Sequence, residues 1–149
     1  MRLLFAHETH IVEIETLYIL DFYLLFPALL RDMKMPEDVR AKFRTLEIEK
    51  YHDQFVQVPS PQSLYRDLAV IQRTSLVGLA AKTLIDPTAF QSGNAKLNID
   101  HIPEALTKRI EDANKVDADL LDFLIHDIGE IDLSGPRGLR NSTQLVRRI

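Results

Sequence analysis

Cysteine is absent from this chain of 149 residues. That gap excludes disulfides, thiolate metal sites and cysteine nucleophiles, and it fits a reducing compartment, so a cytoplasmic location is expected. Glycine is scarce. Its five positions, Gly78, Gly93, Gly129, Gly135 and Gly138, never fall at the spacings of a phosphate loop or a dinucleotide fingerprint, and no Gly-x-Ser-x-Gly elbow occurs. No cofactor and no catalytic centre are therefore expected. A membrane span is missing as well: the greasiest stretch, residues 17–30, is interrupted by Asp21 and Pro27, and lengthening it toward the roughly 20 apolar residues a span needs takes in Glu13 and Glu15. The apolar opening Met1-Arg2-Leu3-Leu4-Phe5 stops at Ala6, before His7-Glu8, with no cleavage site, so no export signal is expected. Nor is there an excess of positive charge. The net charge is −4 and the pI about 5.7, which gives no global attraction to nucleic acid or to anionic membranes.

What is present suits one folded domain. Apolar residues make up 46% and charged residues 27%, ordinary for a globular protein, and a domain of this size buries roughly 70% of the surface of its unfolded chain. The charge is unevenly spread: residues 111–132 hold Glu111, Asp112, Asp117, Asp119, Asp122, Asp127, Glu130 and Asp132 against the single base Lys115. The last residues carry Arg137, Arg140, Arg147 and Arg148 without an acid, a local cationic handle.

Along the chain, Ile11, Ile14, Leu17, Tyr18, Phe22 and Leu25 recur at helical spacing, which predicts a helix over residues 10–25. From Leu17 onward its polar side nearly vanishes, so this half must be enclosed on all sides, by its own domain or by a partner. Pro27 kinks the helix or opens a new one to about Met33, and Pro36-Glu37-Asp38 opens a short helix to about Arg44. Residues 45–59 read as short strands or an extended loop. Ser60-Pro61 opens a helix through Asp67, a second runs to about Ile85 and ends at Asp86-Pro87, and the Gly78 inside it suggests a close helix contact. Ala89-Phe90-Gln91 and Ala95-Lys96-Leu97-Asn98 flank Ser92-Gly93-Asn94 as a small hairpin. Two further helices follow, one with Leu106 and Ile110 inward, the other with Leu120, Leu121, Leu124 and Ile128 inward and an acidic outer side. The expected fold is mainly α: residues 10–59 a hydrophobic helical extension and loop, 60–100 a winged-helix-like core, and 101–149 C-terminal helices with a basic tail.

The chemical constellations are sparse. His7 and His10 stand three apart, not at the spacing of a zinc protease, and read as a polar helix start. The acids of residues 117–132 read as a solvated face. If a winged helix met DNA, its recognition helix would offer Arg73 and Lys82, with only Lys96 on the hairpin, too little for strong phosphate binding. Gly135-Pro136-Arg137-Gly138 matches the Gly-x-x-Gly loop of KH domains, but only a short tail follows it, so its plain reading is a turn; the alternative is a loop that offers its arginines to phosphate or to a partner's acidic surface.

Three segments together resemble a known family: Leu17-Tyr18-Ile19-Leu20-Asp21-Phe22-Tyr23-Leu24-Leu25-Phe26-Pro27-Ala28-Leu29-Leu30, then Ile71-Gln72-Arg73 leading to Leu84-Ile85-Asp86, and Leu133-Ser134-Gly135-Pro136-Arg137-Gly138-Leu139-Arg140. They resemble the middle components of bacterial ABC-three-component systems of the Lamassu kind. The resemblance implies a noncatalytic assembly subunit that couples an SMC-like ABC ATPase to an effector in antiphage or antiplasmid defence. On that expectation Leu17, Tyr18, Phe22, Tyr23, Leu25 and Phe26 bind a partner, while Arg137, Gly138, Arg140, Arg73 and Lys82 meet a partner or nucleic acid. The isolated chain would then self-associate or be poorly soluble. The alternative is a DNA-binding winged-helix regulator.

Overall fold

The structure, a computed structural model, describes residues 1–48 and 59–145. Its described part is mainly helical with one small antiparallel sheet. In chain order the elements are α1 (Arg2–Ala6), β1 (Ile11–Glu13), α2 (Ile14–Leu25), a 3-10 turn (Pro27–Asp32), α3 (Glu37–Phe43), α4 (Pro61–Ala81), α5 (Pro87–Gln91), β2 (Asn94–Lys96), a 3-10 turn (Ile99–His101), α6 (Glu104–Val116), α7 (Ala118–Phe123) continued as a π-helical turn (Leu124–Ile128), and α8 (Leu139–Thr143). No described helix is long and apolar enough to cross a membrane.

The core is organised around α2, whose Leu17, Ile19, Leu20, Phe22 and Tyr23 are all buried. Phe22 is at the centre, edge-on to Tyr23 and Tyr65 with ring centroids 5.4 and 5.6 Å away, and tilted against Phe26 at 5.3 Å. The enclosure demanded by the missing polar side thus comes from the protein itself: α1, α4, the π-helical turn and the 3-10 turn after Pro27 close around the helix. Pro27 acts as expected, ending α2 and opening that 3-10 turn.

Residues 11–13 form a strand where the apolar period predicts helix. His10 adopts a left-handed backbone (φ 53°), which stops any helix there, and Val12 pairs with Ala95 across the ladder. The backbone of β1 is thereby satisfied by β2, flanked by bonds from Ile14 N to Gly93 O (2.9 Å) and from Leu97 N to His10 O (2.8 Å).

This pairing replaces the expected winged-helix core. β2 finds its partner at the N-terminal side of the chain, and residues 89–91 belong to α5. The reason lies at Asp86-Pro87, which starts a helix as well as ending the preceding segment. The Asp86 carboxylate accepts the Thr88 and Ala89 amides at 2.8 and 3.1 Å, and Pro87 occupies the first turn where its missing donor costs nothing. Those two amides, Ala89 foremost, hold the Asp86 carboxyl below its usual pKa. The two helices expected over residues 61–85 are one, α4, because no proline interrupts it; it ends near Lys82, and Thr83 turns left-handed at φ 57°. Ser60 caps it as expected, accepting Ser63 N at 3.2 Å. Residues 45–48 and 59 form no strand, and the rest of the expected strand region, residues 49–58, lies outside the described residues.

Charged side chains tie the outer helices to the core. Arg2 donates to the Ala113 carbonyl, to Asn114 Oδ1 and to Asp117 Oδ2 at 2.7, 2.9 and 2.7 Å, so a cation serves the free end of α6. Lys42 on α3 pairs with Asp127. Asp117 and Asp127, two of the acids of residues 117–132 read as a solvated face, therefore have structural bonds, while Asp119, Asp122, Glu130 and Asp132 are exposed.

Two glycines separate backbone need from packing need. A Cβ at Gly138 would lie 2.4 Å from the Ser134 carbonyl oxygen, a backbone atom that cannot rotate away, whereas a Cβ at Gly78 would meet nothing within 4 Å. The close contact expected at Gly78 is not made inside the described chain. Gly138→Ala should destabilise by about 2–3 kcal/mol in urea unfolding and Gly78→Ala should stabilise by about 1 kcal/mol. Equal effects would contradict this placement of the two residues.

Candidate interaction surface

The expected partner-binding residues of α2 divide into two sets. Leu17, Phe22 and Tyr23 are 5, 0 and 3% exposed and are consumed by the protein's own core. They offer no docking face, because an all-round apolar helix is first satisfied by the nearest apolar surfaces of its own chain. Tyr18 and Phe26 are half-buried, and Leu25 is 52% exposed.

Tyr18 and Leu25 open onto a groove of about 260 Å³ between α2 and α4, whose other wall is Leu68, Ile71, Ser75 and Leu79. The lining is mostly apolar, with Ser75, Asp21 and Gln72 as polar members. Asp21, the residue that interrupts the apolar surface of α2, accepts Gln72 Nε2 at 2.7 Å, and the same amide donates to the Tyr18 carbonyl at 3.2 Å. Both donors of the buried Gln72 are thereby used, which fixes α4 against α2 and leaves the remainder of the groove free for apolar contact. Ile71, on its rim, is 61% exposed, and Val70 and Val77 further round α4 are 72 and 48% exposed. This apolar surface is what the sequence reading missed. Its signal was the seven-residue separation of Val70 and Val77, off the face that carries Leu68 and Leu76.

The five cationic-surface candidates also divide. Arg140 is committed internally: Nε and Nη2 bond Glu15 at 2.7 and 2.5 Å, and Nη1 reaches Ser134 Oγ at 3.0 Å. The Glu15 carboxylate raises the Arg140 pKa further and ties α8 to the start of α2. Gly138 is buried at the tight approach described above, where it shapes the loop. Arg137 is exposed at the rim of a shallow depression that also holds Lys34, Glu37 and Asp38, a mixed-charge setting. The Gly135 to Gly138 stretch is a turn closed by Gly138 N to Gly135 O (3.1 Å) and Asn141 Nδ2 to Gly135 O (2.6 Å), and a short helix, α8, follows it. Arg147 and Arg148 lie outside the described residues.

Arg73 and Lys82 are both exposed, but nine residues are two and a half helical turns, so they leave α4 on opposite sides. They do not form one basic face, and with no hairpin wing beside them the DNA-reading geometry is not assembled. His7 and His10 lie in the turn after α1, not at a helix start. His10 Nδ1 lies 3.0 Å from the Leu4 carbonyl and His7 Nδ1 lies 3.0 Å from Thr9 Oγ1, and burial chiefly lowers the His7 pKa. Among the described residues no group of three or more His, Cys, Asp or Glu is placed to hold a metal.

The family model for middle component 5 of ABC-three-component (ABC-3C) systems matches residues 1–148. The chain belongs to that family. No curated protein and no solved structure matches it. In this middle component α2 therefore has a buried half that builds the core and an edge, Tyr18 and Leu25, that opens onto the groove with α4.

Core and rim residues are separable by stability. Phe22→Ala should cost about 3–5 kcal/mol, and Leu25→Ser or Ile71→Ser no more than about 0.5 kcal/mol, in equilibrium urea unfolding. A large loss at Leu25 or Ile71 would show that the groove is closed in solution.

Proposed function

We propose that this middle component is a noncatalytic assembly subunit that links an SMC-like ABC ATPase to an effector in antiphage or antiplasmid defence, and that it works in the cytoplasm. The observation that carries the proposal is the family match over residues 1–148, since a middle component is by its description one part of a larger system. The surface supports it. Apolar residues Leu25, Val70, Ile71 and Val77 are about half or more exposed around α2 and α4, and association is the ordinary use of such a patch.

Within that reading, the groove between α2 and α4 receives an apolar side chain of a partner, with Tyr18, Leu25 and Ile71 as its contacts. Binding energy at such a site is concentrated in a few desolvated anchors, so single changes at the rim act strongly. Co-expression of the tagged full chain with the other components of its system should recover an ATPase in fixed ratio. Ile71→Glu or Leu25→Glu should weaken that recovery at least about tenfold while the thermal melting of the chain is unchanged. A chain that elutes alone in the presence of every other component would contradict the assembly reading.

A further inference from the structure

The side of α4 turned away from the core is patterned for another helix. Asp67, Val70, Thr74, Val77 and Ala81 follow one another at alternating separations of three and four residues, the repeat that lines a seam between packed helices. All five are exposed, whereas the residues that hold α4 to its own protein, Tyr65, Gln72 and Leu76, lie on the opposite side. Val70 and Val77, at 72 and 48% exposed, are the anchors of this stripe. It adjoins the groove, with Ile71 on the boundary between the two.

Charge decides what can cover it. One flank of the stripe carries Arg66 and Arg73, two turns apart on the same side, and neither has an ion-pair partner among the described residues. The other flank carries Ile71 and Gly78 and no charge. A second copy of α4 is a poor match in either direction. Antiparallel pairing sets the arginine flanks against each other, and parallel pairing sets Arg66 and Arg73 against Ile71 and Gly78 of the second copy; neither flank supplies a carboxylate, and the stripe's own Asp67 lies at its N-terminal end, where parallel pairing would set it against itself. Helix pairing of this kind is specified by complementary flank charges, so the missing element is acidic.

We propose that the outer face of α4 is a docking seam for an α-helix of a different protein, one with an apolar stripe of its own and aspartate or glutamate residues on the flank that meets Arg66 and Arg73. The proposal rests on the assembly reading and names the chemistry of one partner. Gly78 adds nothing to the fold that alanine would not, and on the flank of the seam it leaves room for a close backbone approach.

The test places the photo-crosslinking residue p-benzoylphenylalanine at Thr74 of the full-length chain, co-expressed with the other components of its system, and maps the adduct by mass spectrometry. The expected adduct lies in a helical segment of another component with acids on one flank. Arg66→Glu with Arg73→Glu should reduce that adduct at least about tenfold without changing the melting temperature, and lysines at the mapped acids should restore it. An adduct to a second copy of this chain, an adduct to a segment without acids, or indifference to the charge reversal would overturn the seam. No adduct from the Thr74 probe in the otherwise unchanged chain, with co-purification intact, would overturn the seam and leave the assembly reading standing; failure to co-purify would remove both.

Discussion

A helix with almost no polar side has to be surrounded, and in this protein α2 is that helix. Leu17, Ile19, Leu20, Phe22 and Tyr23 face different directions and all are buried, so neighbours must approach from every quarter. The short strand before it, the 3-10 turn after it, α1 beneath and α4 alongside are the response. Phe22 and Tyr65 join the two longest partners of that core through an edge-on ring contact. The few charged ties at the periphery, Arg2 to the end of α6 and Arg140 to Glu15, hold elements whose own apolar faces are too small to dock firmly.

Enclosing α2 uses up surface unevenly. The inner side of α4 spends Tyr65, Gln72 and Leu76 on the core, yet its outer side carries valines that the described chain never covers. Apolar residues scattered singly on a surface need no explanation, but several on one exposed helix, beside an open groove, do. The same economy explains why the basic residues of the C-terminal loop are poor docking candidates. Arg140 is held by a carboxylate of α2, and Gly138 is fixed by backbone contact, so among the described residues of that loop Arg137 is the exposed cation.

What was legible in the sequence was local. The Ser60 cap, the break at Pro27, the helix after Pro36 and the buried stripe of residues 120–128 all follow from short-range rules that the structure obeys. What was not legible was long-range pairing. The partner of β2 lies some eighty residues back in the chain at β1, a choice that no turn signal near Gly93 could reveal, and without it the order of elements resembled a winged helix. Asp86-Pro87 misled for a related reason: the same dipeptide ends one helix and caps the next. The burial of α2 within its own chain was not legible because hydrophobicity alone cannot distinguish a helix enclosed by its own domain from one enclosed by another protein, whereas the weaker signal of Val70 and Val77 marked residues that stay exposed. Family membership was legible because it rests on residues spread along the whole chain.

Amide hydrogen exchange on the isolated chain and on the assembled system tests the central claim most directly, that α2 is enclosed from within and that association falls to α4. The account predicts that amides of α2 are already protected in the isolated chain, and that protection gained on assembly concentrates in α4. Rapid exchange in α2 until a partner is added would contradict it.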